Sequence, residues 1–105
     1  MLERVYQARL IKDLSSMFPG CLILKNDSSY LQGIPDLVIF YRDRWAMLEV
    51  KPSETAPYEP NQEYYLEILD GMSFASRIDP SNEQDVLRAL QHALEPHRNP
   101  RISKR

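Results

Sequence analysis

The sequence predicts an α/β fold of α+β character: a mixed central sheet flanked by helices, with an αβββαβ core and a further helix toward the C-terminal end. Three observations carry this. Helical apolar stripes lie near both ends of the chain, two apolar strands stand a short polar turn apart in its middle, and a helix crosses from them to a fourth strand. Hairpin neighbours plus one helical crossover give a sheet with both antiparallel and parallel pairs.

Residues 2–17 space Leu2, Val5, Tyr6, Leu10, Leu14 and Met17 by threes and fours, the stripe of an amphipathic helix. Pro19-Gly20 ends it. Residues 21–25 read as a short buried strand, and Asn26-Asp27-Ser28-Ser29-Tyr30 as a polar loop leading to Gly33. Strands over 36–41 and 45–51 follow, joined through Arg42-Asp43-Arg44 as a hairpin. Residues 52–60 carry Pro52, Pro57 and Pro60 and form an irregular loop. A helix from about Pro60 to Asp70, with Gly71 as its C-cap, leads to a strand over 73–78. Ser81 with Gln84 resembles a capping box for a last helix ending near Pro96, striped by Val86, Leu87, Leu90 and Leu94.

A chain of 105 residues holds one domain, taken as 1–96, followed by a basic tail over 97–105. Apolar residues at 43% and charged residues at 27% match globular averages, and no apolar run approaches the length that crosses a bilayer. No signal-peptide pattern opens the chain, and the single cysteine, Cys21, has no intrachain partner, so a cytoplasmic setting and a buried structural thiol are expected. The net charge of −2 does not itself favour nucleic acid. Its distribution matters more: Arg98, Arg101, Lys104 and Arg105 crowd the tail, and Arg4, Arg9 and Lys12 follow the first helix, as solvated surface or as phosphate contacts.

The chemistry concentrates in Gly33-Ile34-Pro35-Asp36 and Glu49-Val50-Lys51. If Arg42-Asp43 is the turn, Tyr41 pairs with Arg44 and the same register sets Asp36 opposite Glu49, with Cβ atoms about 5 Å apart on one face. Facing carboxylates repel unless a cation lies between them. Oxygen ligands of this kind suit Mg²⁺ or Mn²⁺, and period-two alternation brings Lys51 to the same face. A divalent ion there would polarise a phosphodiester and acidify water, while Lys51 balances the developing charge. Taken singly, Asp36 is an ordinary turn residue and the Glu49–Lys51 pair an ordinary solvent-facing one. Their apolar surroundings, Ala46-Met47-Leu48 and Val50, argue instead for charges held inside a sheet.

These residues resemble the PD-(D/E)XK nuclease superfamily, and most closely its small VRR-NUC branch and phage Holliday-junction resolvases. The pattern there is an acidic residue on the first helix, the Pro-Asp strand, the Glu-x-Lys strand and a glutamine on the next helix, which Glu3, Asp36, Glu49 with Lys51, and Gln62 fill in order. The resemblance implies Mg²⁺ or Mn²⁺ held by Asp36, Glu49, the backbone carbonyl of Val50 and Glu3, with Asp36, Glu49, Lys51, Glu3 and Gln62 as catalytic residues. Glu3 is also simply favourable to the dipole of its helix. Gln62 shares a stripe with Tyr65, Leu66 and Leu69, so burying it calls for a polar partner.

The expected activity is hydrolysis of DNA, structure-selective on branched substrates such as Holliday junctions. A nicking or flap-type endonuclease with the same site and an inactive nucleic-acid-binding domain are the alternatives. A homodimer is expected, since two symmetric sites can address two strands. Trp45 could anchor that contact, and Tyr58, Tyr64 and Tyr65 stand as core, interface or DNA contacts. A phage-encoded protein acting in the host cytoplasm fits the small stand-alone form. His92 and His97 have no neighbours at zinc-site spacing and are read as non-catalytic.

Overall fold

A computed structural model describes residues 2–95. The elements are α1 (Glu3–Met17), β1 (Leu22–Lys25), β2 (Leu37–Tyr41), β3 (Arg44–Val50), α2 (Gln62–Met72), β4 (Phe74–Ile78) and α3 (Glu83–Leu94). The strands form one sheet in the order β1-β2-β3-β4, antiparallel across the first two pairs and parallel between β3 and β4. This is the expected mixed sheet, with α2 as the crossover that a parallel connection needs.

Period-two alternation divides the sheet into two faces. Leu37, Ile39 and Tyr41 of β2 and Ala46, Leu48 and Val50 of β3 point to the layer of α1 and α3, where Tyr6, Leu10, Leu14, Phe18, Val86, Leu90 and Leu94 complete the core. The opposite face carries Val38, Met47 and Ala75, and α2 covers its β3–β4 side with Leu69. Charges entering β3 on this second face therefore meet α2 rather than the main core. Among the described residues no helix is long and apolar enough to cross a membrane.

Several local expectations need correction. Leu2 and Val5 are exposed, and the buried stripe of α1 is Tyr6, Leu10 and Leu14, continued by Phe18. β1 is an exposed edge strand with Leu22 57% accessible, because it is paired on one side only and α1 reaches little of it. Cys21 precedes that strand and is half-buried, not enclosed; burial still raises its thiol pKa. α2 runs through Gly71 to Met72, and Ser73 ends it. The capping box at Ser81 is absent: Ser81 donates to Asp79, and Asn82 occupies the cap position of α3. The tail over 97–105, with its four cations and His97, lies outside the described residues.

Candidate active site

The hairpin register is the one the spacing requires. Tyr41 pairs with Arg44 and Leu37 with Leu48, through a turn in which Arg42 takes φ +59°. The next step outward on the ladder is Asp36 against Glu49. Asp36 leaves regular strand geometry there, yet its backbone carbonyl still accepts from the Asn26 N–H at 2.8 Å, extending the pairing with the β1 side. Its carboxylate Oδ2 accepts the Val50 N–H at 2.8 Å, which ties the Asp36 side chain to the end of β3 beside Glu49.

Glu49 is 2% exposed and Lys51 6%. Lys51 Nζ stands 3.6 Å from Glu49 Oε2, and the Lys51 N–H donates to the Ile78 carbonyl at 2.9 Å, fixing this segment to the end of β4. Gln62 Nε2 donates to the same Glu49 Oε2 at 2.8 Å, while Gln62 Oε1 accepts the Glu59 N–H at 2.7 Å. The glutamine is thus held at both ends, and its amide orientation follows from its partners. The expected polar partner of buried Gln62 is Glu49.

What remains of Glu49 is Oε1, buried and, among the described residues, without a hydrogen-bond partner. A buried carboxylate oxygen left unpaired is costly, and such groups call for an explanation. The Glu49 pKa rises from 4.5 to about 8, first through burial and then through the charge of Asp36, with Lys51 opposing; the closeness of the Asp36 carboxyl group and the charge of Glu3 add to the rise. Two acidic groups close enough to share a proton are close enough to share a cation.

Glu3 stands at the rim. It opens α1 on the other layer and is exposed, but its pKa is raised by partial burial and then by Asp36, with Lys51 lowering it, so it feels the site. It does not join the two inner carboxylates in a closed cluster: among the described residues no three His, Cys, Asp or Glu side chains are grouped to hold a metal by themselves. The groups that could help hold a divalent cation here are the Asp36 carboxylate and the Glu49 oxygen left without a partner. Mg²⁺ is commonly bound through one or two carboxylates, with waters and substrate oxygens completing its shell.

Gly33 explains how the loop and helix meet. It has φ +97°, and a Cβ there would lie 2.6 Å from the Asn61 Cβ and under 3 Å from the Asn61 backbone. Only glycine permits this approach, and Asn61, itself at φ +71°, immediately precedes Gln62. The Gly33-Ile34-Pro35-Asp36 run and the start of α2 are thereby locked together. Between them lies an open groove of about 440 Å³, lined by Ser28, Ser29, Gln32, Gly33, Ile34, Asp36, Glu59 and Gln62.

The other candidates lie elsewhere. Arg9 is engaged by Glu83 at 2.7 Å and Asp13 at 3.2 Å, His92 is exposed on α3, and Tyr64 and Tyr65 pack edge to face on α2. Arg77 and Asp79 belong to no motif in the sequence. Arg77 donates to the Ser53 and Glu54 carbonyls and to Asp79, and stacks on Tyr58, pinning the loop that follows Lys51 to β4. An isolated arginine in a weak strand carries no sequence signal for such a clamp.

A solved structure described as "VRR_NUC domain protein" matches with a TM-score of 0.60 and 15% sequence identity, over 90% of this chain and 90% of that one. At that identity the likeness shows a shared fold. No family model matches the sequence, and no curated protein sequence does either.

Proposed function

We propose that this chain is an Mg²⁺- or Mn²⁺-dependent endonuclease that hydrolyses DNA phosphodiester bonds, with a preference for branched DNA. The observation that carries the reading is the buried Glu49, with one oxygen unpaired, beside Asp36 and Lys51 on one face of the sheet. Its fold likeness to a protein described as having a VRR_NUC domain supports a nuclease-type domain.

Asp36, Glu49 and the Val50 carbonyl would hold the ion, and Glu3 at the rim adds negative charge to the site. When bound, it supplies positive charge to the scissile phosphate and acidifies nearby water. Gln62 keeps Glu49 Oε2 occupied and leaves Oε1 as the oxygen that would hold the ion. Lys51, held by backbone pairing and by Glu49, sets an ammonium beside the reacting phosphate, where it orients the attacking water and offsets the charge that accumulates in the transition state. The groove admits a backbone past Asp36 and Gln62.

Selectivity for branched DNA, with a homodimer presenting two sites, remains part of this reading and rests on the resemblance of the motifs. The deciding experiment incubates the protein and Mg²⁺ or Mn²⁺ with four-way, flap and linear duplex DNA. Metal-dependent cleavage that is lost in Asp36→Ala and Glu49→Ala, with DNA binding retained, supports it. Equal cleavage of all three substrates removes the branched preference, and no cleavage of any removes the nuclease reading.

A further inference from the structure

The loop over 26–34 separates two concavities. One is the groove that reaches Asp36 and Gln62; the other, about 430 Å³, is lined by Asn26, Asp27, Tyr30, Leu31 and Ile34, and Ile34 belongs to both. Tyr30 is 89% exposed and Leu31 38%, an aromatic and an aliphatic side chain presented at the rim of this second cleft. Their backbone is not slack. The Tyr30 and Leu31 N–H groups donate to the Asp27 carbonyl at 3.1 and 3.3 Å, and the Ser29 N–H and hydroxyl both donate to Asp27 Oδ1. A rigid loop that leaves a tyrosine ring in water forgoes its burial, which is a signature of a contact surface.

The charge around the cleft selects its occupant. Among the described residues no lysine or arginine lines it, and Asp27 is held ionised by its Ser29 hydrogen bonds. A phosphate is repelled there. A neutral planar ring is not: it stacks on Tyr30, packs on Leu31 and Ile34, and can offer an exocyclic amine to Asp27. We infer that this cleft receives an unpaired nucleobase next to the scissile phosphate, stacked on Tyr30, while the phosphate itself lies in the neighbouring groove at Asp36. The inference rests on the nuclease reading and deepens it: the substrate class is DNA with at least one unstacked base beside the cut, which a fully paired duplex does not supply.

The test compares wild type, Tyr30→Ala and Tyr30→Phe on a paired duplex and on the same duplex with one splayed single-stranded arm. A 2-aminopurine at the first unpaired position reports stacking by its fluorescence, in Ca²⁺ to hold back cleavage, and KM and kcat are then measured in Mg²⁺ or Mn²⁺. The expected result is quenching of 2-aminopurine by wild type and Tyr30→Phe. Tyr30→Ala should lose it, with affinity for the splayed DNA and 1/KM lowered about 5- to 100-fold, the range for one lost base–aromatic stack. Duplex affinity, kcat and the thermal midpoint stay unchanged. Wild-type cleavage of splayed DNA that Tyr30→Ala does not weaken, or weakens equally on duplex, overturns the base cleft and leaves the nuclease reading intact. Failure of wild type to cut either DNA overturns the nuclease reading and this inference with it.

Discussion

Replacing Glu49 by Gln should stabilise the metal-free protein. The amide keeps an oxygen for Gln62 Nε2 and removes the buried charge that burial and Asp36 oppose. The sign follows from the proton. Glu49 has a folded pKa of about 8 against 4.5 in the open chain, so the folded protein holds a proton that the unfolded chain has released over that interval. The contribution of Glu49 to stability is therefore full below pH 4.5 and is lost progressively as pH rises through about 8. At about 1.36 kcal/mol per pH unit, the loss at pH 7 is on the order of 3 kcal/mol, and water reaching Asp36 from the open groove reduces it to about 1–2 kcal/mol. For a domain of this size that corresponds to a rise in Tm of about 5–15 °C. The assay is thermal unfolding by circular dichroism in chelator from pH 4 to 9. Glu49→Gln should match wild type near pH 4.5 and exceed it by a margin that widens toward pH 8. A variant that is equally or less stable at pH 7.5, or whose advantage does not vary with pH, refutes the account of Glu49 as a charge retained at the expense of stability for a ligand.

Four further outcomes follow from the same geometry. Asp36→Ala and Lys51→Ala should each lower metal-dependent cleavage by about 10²-fold or more in kcat, measured in single turnover, because both groups act on charge that develops in the transition state. Gln62→Ala should weaken Mn²⁺ affinity by about 10- to 100-fold by calorimetry without removing the site, as expected for a partner that orients a ligand. Gly33→Ala should destabilise the fold by about 1–3 kcal/mol in urea unfolding, since φ +97° and the 2.6 Å approach to Asn61 leave the methyl group no room. Sedimentation at micromolar concentration should show a dimer; a monomer counts against two symmetric sites on one junction.

What the sequence made legible divides along a physical line. Apolar periodicity and turn chemistry specify register, so the pairing of Tyr41 with Arg44 and the approach of Asp36 to Glu49 followed from counting across a two-residue turn. Gln62 was legible for a similar reason: a polar side chain on a buried helical stripe must find a partner, and Glu49 is that partner. Edge position was not legible. The run Cys21-Leu22-Ile23-Leu24 is apolar enough for a sheet interior, but whether a strand has neighbours on both sides depends on the whole topology, and β1 has one. The cap of α3 was not legible either, because Ser81 is claimed by Asp79 and Asn82 takes the cap position instead. Glu3 is intermediate: its position on α1 was readable, but its distance from the inner carboxylates depends on how the two layers stack.

Manganese titration followed by electron paramagnetic resonance tests the central claim most directly, since bound Mn²⁺ loses the six-line signal of the free ion. One tight site per wild-type chain, abolished by Glu49→Gln and by Asp36→Asn while both variants remain folded, is the expected result. Binding that survives both substitutions, or the absence of any site in wild type, contradicts the assignment of these carboxylates to a divalent ion.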